Sequence, residues 1–533
     1  MRKIKIIIAF IVCSNISQIL FCQEKSRIVQ IIEEKVQQGQ SLYTCQLMDG
    51  AFKLNNKTTG KVWNAKISST VAFEKFDSNT DLISINLEFN NEKIELNFLR
   101  NYMHSKNAKM YSKGTKQDTV NIPNFLCYRG YTANNLMDAT FCIDENRFAL
   151  RFTHKKENYI VRKEKSDSKE LVLTKLSKGE DIFLCGLDET KSSTERISFS
   201  ENLQPSINSN IALGCVDIYL EADFASFQHY NSDINELVWH MGNMFNHVSI
   251  GYLNANINIA ISDYHVWTSV DPYNGNSNMS SILNNFSDWL EDNYIGDAAF
   301  LILGETRGST KGIANGGHLN PKIGEDHNSW NNDGPYGIVA EFNFYNDANF
   351  DQSRIPFVFA HELGHLFGLG HTFECLWSHN GNSPVMLSNC GNITETCTNI
   401  NLGPSIMSYC FDNININFHQ PAIDVMSALS NAISNNIDGI CPCSAVNTIN
   451  LPQSIFGGIT YPIEGLYQAS NQINIIGGTN VLNNTTHVLA GNKIEITANA
   501  GVPSVLQNRI YLAAGTPCDL SVFEFDNTED ENK

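Results

Sequence analysis

The sequence is poor in charge, and poorest in positive charge. Charged residues make up 17% of the 533 residues, whereas a typical soluble domain has about 25%. Hydrophobic residues reach an ordinary 42%, so the chain can form packed cores and disorder caused by excess charge is excluded. The 37 Lys and Arg face 56 Asp and Glu, a net charge of −19. A phosphate-binding surface needs positive charge, so no nucleic-acid partner is expected.

Long apolar runs are also missing, and no transmembrane anchor is therefore expected. The start of the chain is basic over residues 1–5 and apolar over residues 6–12. This pattern predicts a secretory signal peptide over residues 1–22, with cleavage before Gln23. The alternative is a lipid anchor on Cys22, which the bulky Phe21 disfavours. The mature protein is expected to be secreted and extracellular.

The fourteen cysteines of an exported chain are expected to form disulfides. Two of them lie in the predicted signal peptide, and six cluster over residues 375–443. No pair of CxxC motifs occurs, so a tetrathiolate zinc site is not supported. The pairing within the dense cluster stays open.

Three segments with different patterns of apolar and polar residues follow the predicted signal peptide. Residues 23–205 alternate apolar and polar side chains, which predicts a β-rich unit, and a polar linker over residues 191–210 marks its end. Residues 206–440 alternate strand and helix patterns, which indicates an α/β (α+β) fold. Residues 441–533 contain short strand patterns between Gly and Asn turns, which predicts a small all-β unit.

A metal-binding pattern stands out in the α/β part. A helix predicted from Ile355 to Gly370 contains His361 and His365, four positions apart on one face, and Glu362 beside the first of them. Gly368 allows the chain to leave the helix, and His371 follows as a third nitrogen ligand. Three ligands leave one coordination position open, which is typical of a catalytic Zn²⁺ site. Glu362 is then the expected general base.

The long motif HExxHxxGxxH, followed by Ser405-Ile406-Met407-Ser408-Tyr409, resembles the metzincin zinc endopeptidases. The resemblance implies a catalytic domain with a twisted mixed sheet and an active-site helix. It also implies a turn with Met407 as an apolar floor under the imidazoles. Tyr409 matches a tyrosine that some members use as a zinc ligand or oxyanion donor, and a plain buried tyrosine is the alternative.

Within that clan the sequence is most similar to secreted bacterial reprolysin-like (adamalysin-related) enzymes. This resemblance implies that residues 23–205 are a prodomain with a Cys127–Cys142 disulfide. It also implies that Gly312, Ile313 and Ala314 form the edge strand that pairs with extended substrate. Thr372 departs from the Asp that adamalysins usually have after the third histidine, and residues 368–373 also resemble pappalysins.

Cys185, followed by Gly186, has two interpretations. Adamalysins keep a Cys-Gly pair in the pro-region, whose thiolate occupies the open zinc position and silences the zymogen. The alternative is a disulfide between Cys185 and Cys45.

The sequence thus predicts a secreted zinc metalloendopeptidase made as a zymogen, with protein or peptide substrates and one catalytic Zn²⁺. A structural Ca²⁺ is allowed but unsupported. The alternatives are a hydrolase of a non-protein amide or ester, and an inactive metzincin-like adhesin or binding protein. The C-terminal unit is a candidate contact with carbohydrate, matrix or the cell surface, or it merely protects a terminus.

Overall fold

A computed structural model describes most of the chain between residues 25 and 433 and six strands beyond. The described ranges are 25–52, 63–68, 80–89, 91–114, 117–155, 157–163, 170–175, 215–273, 275, 278–290, 294–305, 310–315, 335–340, 355–379, 382–389, 391, 396–409, 416–433, 448–451, 465–469, 472–475, 486–490, 493–496 and 510–514. The predicted signal peptide, Cys185 and the polar linker lie outside them.

The N-terminal part contains one described helix and eleven strands. These are α1 Arg27–Gln37, β1 Tyr43–Phe52, β2 Trp63–Ser68, β3 Leu82–Phe89, β4 Glu92–Asn101, β5 His104–Lys113, β6 Gln117–Val120, β7 Leu126–Thr132, β8 Met137–Ile143, β9 Phe148–His154, β10 Glu157–Lys163 and β11 Glu170–Lys175. Nine of them form one sheet in the order β1-β3-β4-β7-β8-β9-β10-β11-β2. Cys127 and Cys142 face each other across β7 and β8 and form a disulfide, which confirms that pairing.

The central part alternates strands and helices, as predicted. Its elements are β12 Cys215–Ala222, α2 Phe224–His229, α3 Ile234–Asn254, β13 Asn258–Trp267, α4 Met279–Leu290, β14 Ala298–Ile302, β15 Gly312–Ala314, β16 Tyr336–Val339, α5 Ile355–Leu366, β17 Trp377–His379, β18 Asn382–Met386, β19 Thr398–Asn399 and α6 Gln420–Ile433. The main sheet has the order β15-β16-β14-β12-β13-β5-β6. Strand β15 is antiparallel to β16, while β16, β14, β12 and β13 run parallel. The sheet is therefore mixed.

Strands β5 and β6 connect the two parts, which the sequence did not predict. Strand β5 pairs in parallel with β13 and so extends the central sheet. Lys113 of β5 donates to Glu221 of β12 over 2.6 Å, and the Glu221 side chain is fully buried. Met110 of β5 also belongs to the apolar core that contains Phe245 of α3. The predicted boundary near residue 205 therefore does not separate two independent cores.

Helix α3 links the central sheet to the helix of the predicted site. Its first turn begins at Asp233, whose carboxylate accepts from the backbone N–H groups of Asn235 and Glu236. The helix is buried over nearly its whole length. The hydroxyl of Tyr252 donates to the carbonyl oxygen of Ala360 over 2.8 Å, and this bond ties α3 to α5.

The strands beyond residue 440 pair only among themselves within the described ranges. They are β20 Thr448–Leu451, β21 Gly465–Ala469, β22 Gln472–Ile475, β23 Thr486–Ala490, β24 Lys493–Ile496 and β25 Ile510–Ala514. Every second strand pairs in parallel, which gives one sheet of β20-β22-β24 and another of β21-β23-β25. In the described part of the chain, no helix is long and apolar enough to cross a membrane.

Candidate metal centre

Helix α5 contains two of the three predicted ligands and the predicted base. His361, Glu362 and His365 are almost completely buried, and the two imidazoles lie one turn apart on the same face. The helix ends at Leu366, four residues earlier than predicted, because Gly368 adopts a left-handed conformation with φ +79°. The chain then turns back toward the helix.

The turn brings His371 to the other two histidines. The Nε2 atoms of His361 and His365 are 3.0 Å apart. One ligand atom from each of His361, His365 and His371 can be chosen so that all lie within 4.8 Å of one another. Each of these side chains is buried. The structure therefore brings together the three residues that the sequence motif predicts as ligands.

Each imidazole has its Nδ1 atom held by an oxygen. His361 Nδ1 lies 2.7 Å from the carbonyl of Ile406, and His365 Nδ1 lies 2.7 Å from the carbonyl of Leu369. A carbonyl oxygen only accepts, so in both rings Nδ1 bears the hydrogen and Nε2 has the free lone pair. This is the tautomer that a metal ligand needs.

The set of side chains fits a metal ion. His371 Nε2 is buried and has no hydrogen-bond partner in the described part of the chain, although buried polar nitrogens are normally paired. Burial lowers the pKa of His361 to about 3, so its ring is neutral near pH 7. Three imidazoles facing one point match the nitrogen ligands that Zn²⁺ prefers.

The predicted methionine turn lies beneath this group. Ile406 supplies the carbonyl that accepts from His361, and the carbonyl of Met407 accepts from the backbone N–H of Thr372 over 3.0 Å. The Met407 sulfur lies against Gly364 of α5, where a Cβ atom would come within 2.5 Å of it. The turn thus braces both the helix and the segment that follows the third histidine.

Tyr409 lies beside the imidazoles. Its ring centroid is 4.9 Å from that of His371 and 4.7 Å from that of Phe373. The side chain is 4% exposed. The ring therefore packs edge-to-face with that of His371, the third predicted ligand.

Strand β15 lies at the edge of the central sheet and close to Glu362. Among the described strands it has one neighbour in that sheet, β16. A Cβ atom on Gly312 would lie 2.5 Å from Oε1 of Glu362 and 2.6 Å from Val358. The edge strand and the predicted base therefore touch at a position where glycine leaves room for the carboxylate.

Sequence reasoning missed one side chain of this centre. Glu374 holds the Nδ1 atom of His371, at 3.1 Å, in the way that backbone carbonyls hold the other two rings. A carboxylate three positions beyond the third histidine was the available signal. Thr372, the position next to the histidine, contacts Ser388 through its hydroxyl, at 2.8 Å.

Comparisons with known proteins agree with this geometry. Residues 214–419 match the family model described as Metallo-peptidase family M12, Reprolysin_5. This part of the chain is therefore similar to reprolysin-like metzincin peptidases. The matched segment contains the whole candidate metal centre, strand β15 and the methionine turn.

Two individual proteins resemble the chain over a longer stretch. The zinc metalloproteinase-disintegrin-like atragin of Naja atra is 22% identical over 312 residues, which cover 55% of this chain and 48% of that protein. The chain thus spans about half the length of this curated relative. The crystal structure of metalloproteinase-II from Bacteroides fragilis is 16% identical, covers 58% of this chain and 89% of that one, and superposes with a TM-score of 0.32.

Proposed function

We propose that this chain is a secreted zinc-dependent endopeptidase that cleaves protein or peptide substrates. The observation that supports it most directly is the approach of three buried imidazoles to one point, with a carboxylate on the same helix and the edge of the described sheet beside it. His361, His365 and His371 would hold the zinc ion. Bound zinc supplies Lewis acidity, which polarises a carbonyl and lowers the pKa of water.

Other groups around the centre bind the substrate, transfer the proton and stabilise the developing negative charge. An extended peptide pairs with β15, so that its backbone is fixed along the sheet edge. Glu362, which touches Gly312 of that strand, takes a proton from the attacking water and passes it to the leaving amine. The hydroxyl of Tyr409 donates to the oxygen that becomes negative, and this contact strengthens only in the transition state.

Secretion and latency are further parts of the proposal. The basic and apolar start of the chain supports export, and the Cys-Gly pair at Cys185 supports a zymogen. Cleavage in residues 191–214, with Arg196 a candidate point, would release the mature N-terminus. Mass spectrometry of the unreduced proform separates the two roles of Cys185: an alkylatable thiol after zinc removal supports the switch, and a Cys45–Cys185 peptide removes it.

The function is tested with Glu362→Gln in the purified secreted chain. The variant should keep one zinc per chain, because the imidazoles are unchanged, and should lose casein or gelatin cleavage by several orders of magnitude, because the base is gone. Chelation of the wild type should abolish cleavage as well. Glu145→Gln, a change at an exposed residue, is the control. A wild-type chain that binds zinc and cleaves nothing would instead favour a binding protein.

A further inference from the structure

Three oxygens contact the Nδ1 atoms of the histidines, and only that of Glu374 belongs to a side chain. We propose that Glu374 is the positioning residue of the third imidazole, fixing the ring and tautomer of His371 so that Nε2 points to the metal. This inference rests on the zinc site proposed above. It assigns no contact between Glu374 and substrate.

The carboxylate of Glu374 is engaged by one residue through both oxygens. Oε1 lies 3.1 Å from Nδ1 of His371, and Oε2 accepts from the backbone N–H of His371 over 2.9 Å. The backbone N–H of Glu374 in turn donates to the carbonyl of His371 over 3.1 Å. A carboxylate accepts, so Nδ1 of His371 bears the hydrogen in this contact. Side chain and backbone of the histidine are thus held together.

His371 needs such support more than the other two ligands do. His361 and His365 lie on α5, where the helix itself sets their directions. His371 follows the left-handed Gly368 and lies outside any helix. A side chain on a turn has more freedom to lose when it binds a metal, so a partner that orders it in advance strengthens binding.

The surroundings make the contact rigid. The Trp377 indole donates to the carbonyl of His371 over 2.8 Å, and the ring of Phe373 stacks on the imidazole at 4.8 Å. Cys375, next to Glu374, is bonded to Cys397. The His371 side chain is 2% exposed and that of Glu374 is 14% exposed. A charge-assisted hydrogen bond in this shielded place also makes the ligand nitrogen a better electron donor.

The test measures zinc affinity of the metal-free full chain, by competition with a coloured chelator at one fixed pH. Loss of an oxygen that orients a ligand histidine typically weakens metal binding by about 10- to 100-fold. We expect a loss of this size in Glu374→Ala. Glu374→Asp, which withdraws the carboxylate by one methylene, should also bind zinc more weakly. Glu374→Gln, which keeps an acceptor oxygen of the same reach, should restore part of the affinity.

Glu236→Gln is the matched control. Glu236 contacts His240 at 3.1 Å in another Glu–His pair, on α3 and outside the metal centre, so this variant measures the general effect of removing the carboxylate charge from such a pair. It should bind zinc within about twofold of the wild type. Thermal melts of the metal-free variants report the fold separately from the affinity.

The outcomes separate this inference from the proposed function. A folded wild type that binds no zinc contradicts the proposed function itself. A wild type that binds zinc, with unchanged affinity in both Glu374→Gln and Glu374→Asp, overturns the positioning role whatever Glu374→Ala does. Weaker binding in Glu374→Asp, partly recovered in Glu374→Gln and absent from Glu236→Gln, supports it.

Discussion

At the scale of single residues, the centre depends on how three identical side chains are oriented by different oxygens. Two imidazoles are held by backbone carbonyls of Ile406 and Leu369, which no side-chain substitution can remove. The third is held by Glu374. His371, the ligand outside helix α5, is therefore the one whose support a single side-chain substitution can remove.

Substitution of Gly312 tests the contact between strand β15 and the proposed base, Glu362. Gly312→Ala places a methyl group within 2.5 Å of the Glu362 carboxylate, and overpacking of this kind costs about 1–3 kcal/mol. We expect kcat/KM to fall by roughly 5- to 150-fold if this cost is borne at the carboxylate, since about 1.4 kcal/mol corresponds to a tenfold change. Zinc affinity should stay unchanged. Glu145→Gln, at an exposed residue outside this strand, is the control, and an unchanged kcat/KM in Gly312→Ala would contradict the contact.

Asp223 gives a prediction for pH. Burial raises its pKa from 3.8 to about 6, so the folded state favours the neutral acid and stability falls as pH rises from about 4 to 6. Its Oδ1 accepts from the backbone N–H groups of Ser226 and Gly304, and the oxygen of an amide can keep both bonds. Asp223→Asn should therefore gain stability over the wild type as pH rises, reaching about 1–3 kcal/mol at pH 7.5.

Urea unfolding of both metal-free proteins at pH 4.5 and pH 7.5 measures this difference. Asp233→Asn, at the exposed start of α3, serves as the control because an exposed carboxylate loses little hydration on folding. An advantage of Asp223→Asn that is larger at pH 4.5 than at pH 7.5 would have the wrong sign.

The sequence predicts the ligands of this centre better than their supports. His361 and His365 follow from helical spacing alone, because a helix fixes which residues share a face. The support from Glu374 depends on the shape of the turn after Gly368, and a short turn can place a side chain three residues on in several directions. Spacing therefore identified three histidines and not the carboxylate that holds one of them.

At the scale of elements, the central sheet has two unlike edges. Among the described strands, β15 forms one edge, next to the candidate metal centre, and the β5–β6 hairpin forms the opposite edge. The described N-terminal strands that join this sheet thus lie away from the edge that we propose binds substrate. The proposed latency is therefore assigned to Cys185 and not to strands β5 and β6.

This arrangement predicts a two-chain product after cleavage in residues 191–214. The N-terminal fragment should remain bound, because β5 pairs with β13 and Lys113 is paired with the buried Glu221. Removal of one partner of a buried ion pair costs about 3–5 kcal/mol. Size-exclusion chromatography of the cut protein under reducing conditions should show both fragments in one peak. Lys113→Met should lower the urea concentration that separates them.

Two results would count against this prediction. One is separate elution of the fragments without denaturant, which would mean that the hairpin is a removable cover. The other is a cut Lys113→Met chain that holds together as well as the cut wild type. The comparison is made without substrate, so it does not depend on peptidase activity.

The β5–β13 pairing was not predictable from the local pattern. Alternation of apolar and polar residues identifies a strand but not its partner, and here the partners are separated by well over a hundred residues. Lys113 was even less predictable, because a lysine in a strand is usually solvated, and only the position of Glu221 explains its burial. The α/β pattern was predicted because each of its strands and helices has its own periodicity.

At the scale of the whole molecule, the described strands of the C-terminal part pair with one another and with no other sheet. The metal centre is built from residues 361–409 and is braced by α3 and by the central sheet. Folding of the centre and folding of the C-terminal strands therefore use different hydrogen-bond ladders. This separation predicts that the C-terminal part can be removed without loss of the centre.

A chain that ends at residue 440 should test this directly. We expect its zinc affinity and its kcat/KM on a short peptide to lie within about twofold of the full chain, because the residues that hold the metal and the edge strand β15 are all retained. Cleavage of a large or surface-bound substrate is the measurement that should differ, if the C-terminal part contacts a matrix or cell surface. A shortened chain that folds but binds zinc tenfold more weakly would contradict this prediction. It would show that the C-terminal strands stabilise the metal centre, although the two share no hydrogen-bonded sheet.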